Sequence, residues 1–269
     1  MKLAINFSHQ AADLVRKGKI EIDLFKSPDW AEVIEQAAEI RPVGVHFDLN
    51  VPFSNSTLPD WQCIAALREQ TGTPYVNAHF APRSADFDAR TPGETVESIR
   101  NRMIEAAIQD LDQIIERFGA ENVILENYPY HAQDEKWSCY GAHPDVIKQI
   151  VCETGCGLLL DISHARISAH AIGMDEHSYM GLLPIETLRE LQFTGIHNLD
   201  GRLTDHLPVL DSDWPVLEWV LERISCGHWP PAWMLAFEYG GVGEKFAHRS
   251  HASVIAEQVP RMYVLVHAV

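Results

Sequence analysis

Residues 157–168, GLLLDISHARIS, place three consecutive leucines ahead of an aspartate, a histidine and an arginine. A run that apolar reads as a strand covered on both faces, as in a parallel sheet flanked by helices. Charged groups at the carboxyl end of such a strand are either paired for structural reasons or aimed at a ligand, because a lone buried charge is costly. Two readings stay open. In one, Asp161 ligates a cation from the strand tip and His164 reaches back from the following turn. In the other, Asp161 caps a helix and His164 lies on the surface.

Working outward, short β-branched runs alternate with helical periodicity along the whole chain. Strands are expected at 3–8, 20–26, 42–49, 75–80, 122–128, 157–163, 193–199 and 233–240. The clearest helices fall at about 28–39, 59–70, 93–118, 143–154, 213–225 and 250–267, several opened by Ser, Thr or Asp with Pro in the first turn. Eight buried strands alternating with helices predict an α/β fold, a (β/α)8 TIM barrel forming a single domain over 1–269. No Gly-rich phosphate loop follows the first strand, which counts against a dinucleotide fold. Segments 42–61 and 129–144 read as long loops over the barrel mouth.

A chain of 269 residues with 46% hydrophobic content can bury a large core. It has no apolar run of about 18 residues and its first residues lack the order of a secretory signal, so the expectation is a cytoplasmic protein without a membrane span. The five cysteines are odd in number and scattered, as reduced thiols are. A formal charge of -17 repels phosphate backbones and argues against a nucleic-acid partner.

In a TIM barrel the chemistry sits at the carboxyl ends of the strands. There the sequence places His46 and Asp48, His79, Glu126 and Asn127, Asp161 and His164, His197, and Glu238, with Asp205 and His206 in the next loop. Carboxylates and imidazoles together suit zinc, manganese and iron, and so many converging ionisable groups call for more than one ion. The expected metal ligands are His46, His79, Glu126, Asp161, His164, His197, Asp205, His206 and Glu238. Glu126 and Glu238 are also the candidates for moving a proton. Lys26 and Arg166 are the basic residues near these tips. Arg166 either pairs with Asp161 or holds an anionic part of the substrate. Asn127 and Tyr239, with Tyr128 and Tyr130, are placed to orient substrate, whereas Trp30, Trp61, Trp137, Trp214 and Trp229 read as packing.

These strand-end residues resemble the xylose isomerase-like TIM-barrel superfamily, which includes sugar isomerases, epimerases and endonuclease IV. The resemblance implies Glu126, Asp161, His164, His197 and Glu238 as ligands. The run at 204–221, TDHLPVLDSDWPVLEWVL, is similar to the superfamily's Asp-x-His segment, with Thr204 where the aspartate is expected and Asp205 shifted by one. Within the superfamily, residues 154–197 together with ILENYPY at 124–130 look most like the multinuclear non-haem iron enzymes that oxidise peptidyl cysteine in methanobactin-type pathways. Ser163 and His164 stand where those enzymes usually carry Asn-Asn. That likeness implies two or three iron ions, oxygen chemistry, a small-molecule or peptide substrate, and a partner protein that delivers it.

Three reaction classes remain. Oxidation would use several irons. A sugar or sugar-phosphate isomerase or epimerase needs one divalent ion on Glu126, Asp161, His197 and Glu238. A hydrolase like endonuclease IV would use a metal-activated water, and the acidic surface disfavours DNA for it. Histidine and carboxylate serve iron, manganese and zinc alike, so the metal's identity stays open.

Overall fold

The computed structural model of the chain describes residues 1–53, 59–89, 93–133, 136–244 and 246–269. Parts of the expected loops at 42–61 and 129–144, namely 54–58 and 134–135, lie outside these described residues. The chain divides into two compact units, one of residues 1–47, 62–74 and 189–269, the other of 48–61 and 75–188.

In the first unit, β1 (Lys2–Asn6), β2 (Leu24–Pro28), β3 (Val43–His46), β8 (Leu188–Phe193) and β11 (Met234–Phe237) run parallel in the order β3-β2-β1-β11-β8. Ala4 stands in register with Leu24 and Ala236, and these join Met234 in a buried cluster closed by Trp233. A Cβ on Gly44 would lie 3.1 Å from the Trp233 ring, a tighter contact than most side chains make. Side chains alternate along a strand, and the next residues toward the carboxyl ends on this face are therefore Asn6, Lys26, His46 and Glu238, while Gln192 stands in register with Ala236. The apolar cluster thus lies beneath these polar residues.

Around this array lie α1 (His9–Arg16), α2 (Ala31–Ala38), α3 (Trp61–Thr71), α9 (Trp214–Ser225) and α10 (Ala252–His267). The first strand is shorter than expected because Ser8 caps α1, its Oγ accepting from Ala11 N at 3.1 Å. The second starts later, since Asp23 turns its carboxylate to Leu3 N at 2.6 Å. Buried Ile20 and Ile22 gave 20–26 its strand-like pattern while lying ahead of the strand.

The second unit carries β4 (Asn50–Val51), β5 (Val76–Phe80), β6 (Val123–Glu126) and β7 (Gly157–Asp161), parallel in the order β7-β6-β5-β4. Its helices are α4 (Ser84–Phe87), α5 (Val96–Phe118), α6 (Pro144–Thr154), α7 (Ile162–Ile172) and α8 (Glu176–Leu182). Pro144 opens α6 and Gly155, at φ 72, ends it in the left-handed conformation that favours glycine. β7 passes directly into α7, so the expected turn after Asp161 is a helix.

The seventh barrel strand differs most from expectation. It is β8 at Leu188–Phe193, and 193–199 does not continue it. A Cβ on Gly195 would fall 2.0 Å from the Pro208 carbonyl oxygen, and at that close approach the chain leaves the parallel array. It enters an antiparallel hairpin of β9 (Gly195–Leu199) and β10 (Arg202–Leu207), turned by Asp200 and Gly201 at φ 53 and 85. Among the described residues no helix is long and apolar enough to cross a membrane.

Candidate metal centre

In the second unit, strand register sets His79 opposite Glu126. The Glu126 carboxylate lies between two imidazoles, Oε2 3.3 Å from His79 Nε2 and Oε1 3.1 Å from His164 Nδ1. The other ring nitrogen of His164, Nε2, is 3.5 Å from Asp161 Oδ2. Glu126, Asp161 and His164 are buried, and one ligand atom from each lies within 4.8 Å of the others. Two buried carboxylates sharing one imidazole repel unless positive charge is added, by protonation or by a cation. The donor set fits a divalent ion that accepts oxygen and nitrogen ligands together.

The neighbours fix these groups. His79 Nδ1 meets the Leu49 carbonyl at 3.0 Å, which orients Nε2 toward Glu126. Asp161 accepts from His164 N through Oδ1 at 2.8 Å as the N-cap of α7. The capping and ligand readings of Asp161 therefore meet in one residue, a cap on one oxygen and a candidate ligand on the other, whereas His164 is buried and not on the surface. Asn127 donates through Nδ2 to Asp161 O at 2.8 Å and accepts from Asp161 N at 2.9 Å, locking the tips of β6 and β7 together. Ser168 on α7 donates to Tyr128 O and accepts from Tyr130 N, both at 2.9 Å, so the segment after Glu126 is tied to the helix that carries His164. The Tyr128 ring packs 4.4 Å from that of Trp137. Arg166 turns to α8 and donates through Nε to Glu176 at 2.8 Å. Asp48 is exposed and accepts from Asn50.

In the first unit, buried Lys26 makes an ion pair with Glu238 Oε1. With the Gln192 amide oriented to satisfy both its ends, its nitrogen donates to the same oxygen at 3.1 Å and its oxygen accepts from Lys26 Nζ at 2.6 Å. The His46 ring meets this amide at 3.3 Å. Glu238 Oε2 faces His206 Nε2 at 3.9 Å, and His206 Nδ1 is held by the Glu238 carbonyl at 2.8 Å. A β-bulge between Thr204 and Leu207, with His206 at φ 55, brings Asp205 Oδ2 to 4.0 Å from the same Nε2. His197, opposite Thr204 in the hairpin, turns Nε2 to the Pro208 carbonyl at 2.7 Å. Tyr239 is buried and stacked on Phe237, and burial raises its phenol pKa. Gln192 and buried Glu190 escaped the sequence reading because the seventh strand was placed after them.

Similar proteins agree with this architecture. The D-psicose 3-epimerase of Clostridium cellulolyticum H10 superposes with a TM-score of 0.59 at 11% identity, covering 100% of this chain and 99% of that one. A fusion of a xylose isomerase-like TIM barrel with 4-hydroxyphenylpyruvate dioxygenase covers 89% of this chain and 39% of its own, with a TM-score of 0.50 at 13% identity. The fold is therefore the TIM barrel expected from the alternating strands and helices. Residues 95–232, just over half of the chain, match the family model described as RiPP precursor modification enzyme MbnB/TglH/ChrH, and the chain belongs to that enzyme family. A UPF0276 protein of Acaryochloris marina is 25% identical over 157 residues, so that the chain spans 56% of its own length and about half (50%) of that relative's.

Proposed function

We propose that the chain is a metal-dependent enzyme that oxidises a peptide or small-molecule substrate, with iron held by His79, Glu126, Asp161 and His164. One or two further ions fall to His46, His197, Asp205 and His206. The observation that carries this reading is the buried Glu126, Asp161 and His164 set, in a chain of the RiPP precursor modification family. Bound iron would supply electron transfer to dioxygen and an open position for the substrate. The chain's own residues do the rest. Glu126 takes up a substrate proton, Asn127 holds the two carboxylate-bearing strand tips at fixed height, and the Tyr128 ring, packed on Trp137, orients the substrate. A partner protein delivering a peptide belongs to the same proposal.

A second reading is an isomerase or epimerase of a sugar or sugar phosphate using one divalent ion. One observation favours it: Lys26 holds Glu238 as a buried carboxylate, as a proton-moving glutamate requires. Metal analysis of protein purified without oxygen or chelator separates the two. Iron that is lost in Glu126→Gln and His164→Ala, with oxygen uptake by the reduced wild type, supports the oxidative reading. A single manganese, zinc or cobalt and no oxygen uptake would favour the isomerase. No metal under any loading condition would remove both.

A further inference from the structure

Of the carboxylates expected to ligate metal, Glu238 has a buried ammonium, that of Lys26, against it. Lys26 on β2 and Gln192 on β8 both meet Oε1 of Glu238. Lys26 and Glu238 are 4% and 6% exposed, so the ammonium is a built part of the barrel interior rather than a mobile surface charge. Their positions follow from strand register. Ala4 is paired with both Leu24 and Ala236, which puts Lys26 and Glu238 one pleat higher on two strands flanking β1. A divalent ion on the same carboxylate would have to sit beside this ammonium, and the like charges would repel.

We infer that Lys26, not a metal ion, is the positive partner of Glu238, so that Glu238 is a substrate-facing carboxylate outside the ligand set and Lys26 is its positioning residue. Lys26 and Gln192 take Oε1. The working oxygen is Oε2, which faces His206 Nε2 at 3.9 Å, and His206 is itself held by the Glu238 carbonyl. This goes beyond the proposed metal centre on Glu126, Asp161 and His164, and it removes Glu238 from the ligands that the strand-end pattern implied.

The test is a manganese(II) titration of the full chain, counting bound ions and their affinity. The near-isosteric Glu238→Gln should keep the wild-type number of ions, with an affinity loss no larger than the roughly 10- to 100-fold typical of residues behind a ligand, since its side chain faces His206. Losing an ion would overturn the inference. Because Glu238→Gln leaves the Lys26 ammonium without its carboxylate, the double variant Lys26→Met with Glu238→Gln removes both charges together and keeps the decision open if the single variant unfolds. It too should bind the wild-type number of ions, and an ion lost there overturns the inference equally. Lys26→Met alone, with its carboxylate released, should gain a manganese ion that the double variant lacks, whereas Lys26→Arg should not. Glu126→Gln in the same titration tests the metal centre separately: undiminished binding there rejects the proposed function and leaves the Glu238 comparison standing.

Discussion

Asp161 Oδ1 accepts from the backbone N–H of His164 at 2.8 Å while Oδ2 stands 3.5 Å from the same residue's Nε2. One side chain therefore starts α7 and faces the imidazole that the helix carries. The two roles separate by substitution. Asn caps a helix about as well as Asp, so Asp161→Asn should melt within about 0.5 kcal/mol of wild type, whereas Asp161→Ala should lose roughly 1 kcal/mol. Both should bind metal more weakly. Urea unfolding and metal content, measured on the same samples, check this, and wild-type metal affinity in Asp161→Asn would remove Asp161 from the ligands.

Asn127 makes both of its amide bonds to the main chain of Asp161, at 2.8 and 2.9 Å, in a fully buried position. Asn127→Ala leaves a buried N–H and a buried C=O without that partner, and a loss of about 2–4 kcal/mol in unfolding free energy is expected. Asn127→Asp keeps the acceptor, loses the donor and adds a third carboxylate beside Glu126 and Asp161, so it should be at least as harmful at neutral pH. A loss under about 0.5 kcal/mol for Asn127→Ala would mean that the strand tips are held by other contacts.

How far the sequence reached can be traced at particular residues. Much of the barrel was legible because strands such as β6 and β7 are apolar runs, and LLLD and VILE place Asp161 and Glu126 at strand tips in the structure as they do in the pattern. The seventh strand was not. In LRELQFTGIHNL the interior positions are polar, Glu190 and Gln192, while the apolar alternation continues past Phe193 into a hairpin. Hydrophobic periodicity reports burial, and a barrel interior lined with charge breaks the link between burial and apolarity. The same cause hid the Lys26 and Glu238 pair, since pairing across two strands needs register that no local pattern contains. The ends of β1 and β2 shifted through single side chains, Ser8 and Asp23, whose hydrogen bonds outweigh local strand propensity.

Arg166 Nε donates to Glu176 Oε2 at 2.8 Å, with side chains 14% and 32% exposed. A partly exposed pair between neighbouring helices is worth up to about 1 kcal/mol. Arg166→Met and Glu176→Gln should each destabilise by about that amount, and the double variant should cost little more than either alone, because each single change already breaks the pair. Metal content should be unchanged in all three. A drop in bound metal with Arg166→Met would show that Arg166 supports the metal centre after all.

Cys156 is buried ahead of β7, and burial pushes its thiol from the ordinary 9.0 up to about 11. Cys63, Cys139, Cys152 and Cys226 are exposed. At about pH 8 an aromatic disulfide reagent should therefore titrate those four in the folded chain, and Cys156 only when the chain opens. The pH dependence follows from the same shift. The folded chain holds the Cys156 proton more tightly than the unfolded chain, so the full stability is present below pH 9.0 and falls as pH rises toward about 11. The buried Tyr179 phenol, also raised by burial, adds a loss of the same sign at higher pH. Cys156→Ala should flatten the stability curve across that first window while costing some packing at neutral pH. Urea unfolding of wild type and variant at pH values spanning the window measures the difference. Equal slopes, or a fifth thiol reacting in the folded chain as fast as the other four, would show that Cys156 is not held away from water.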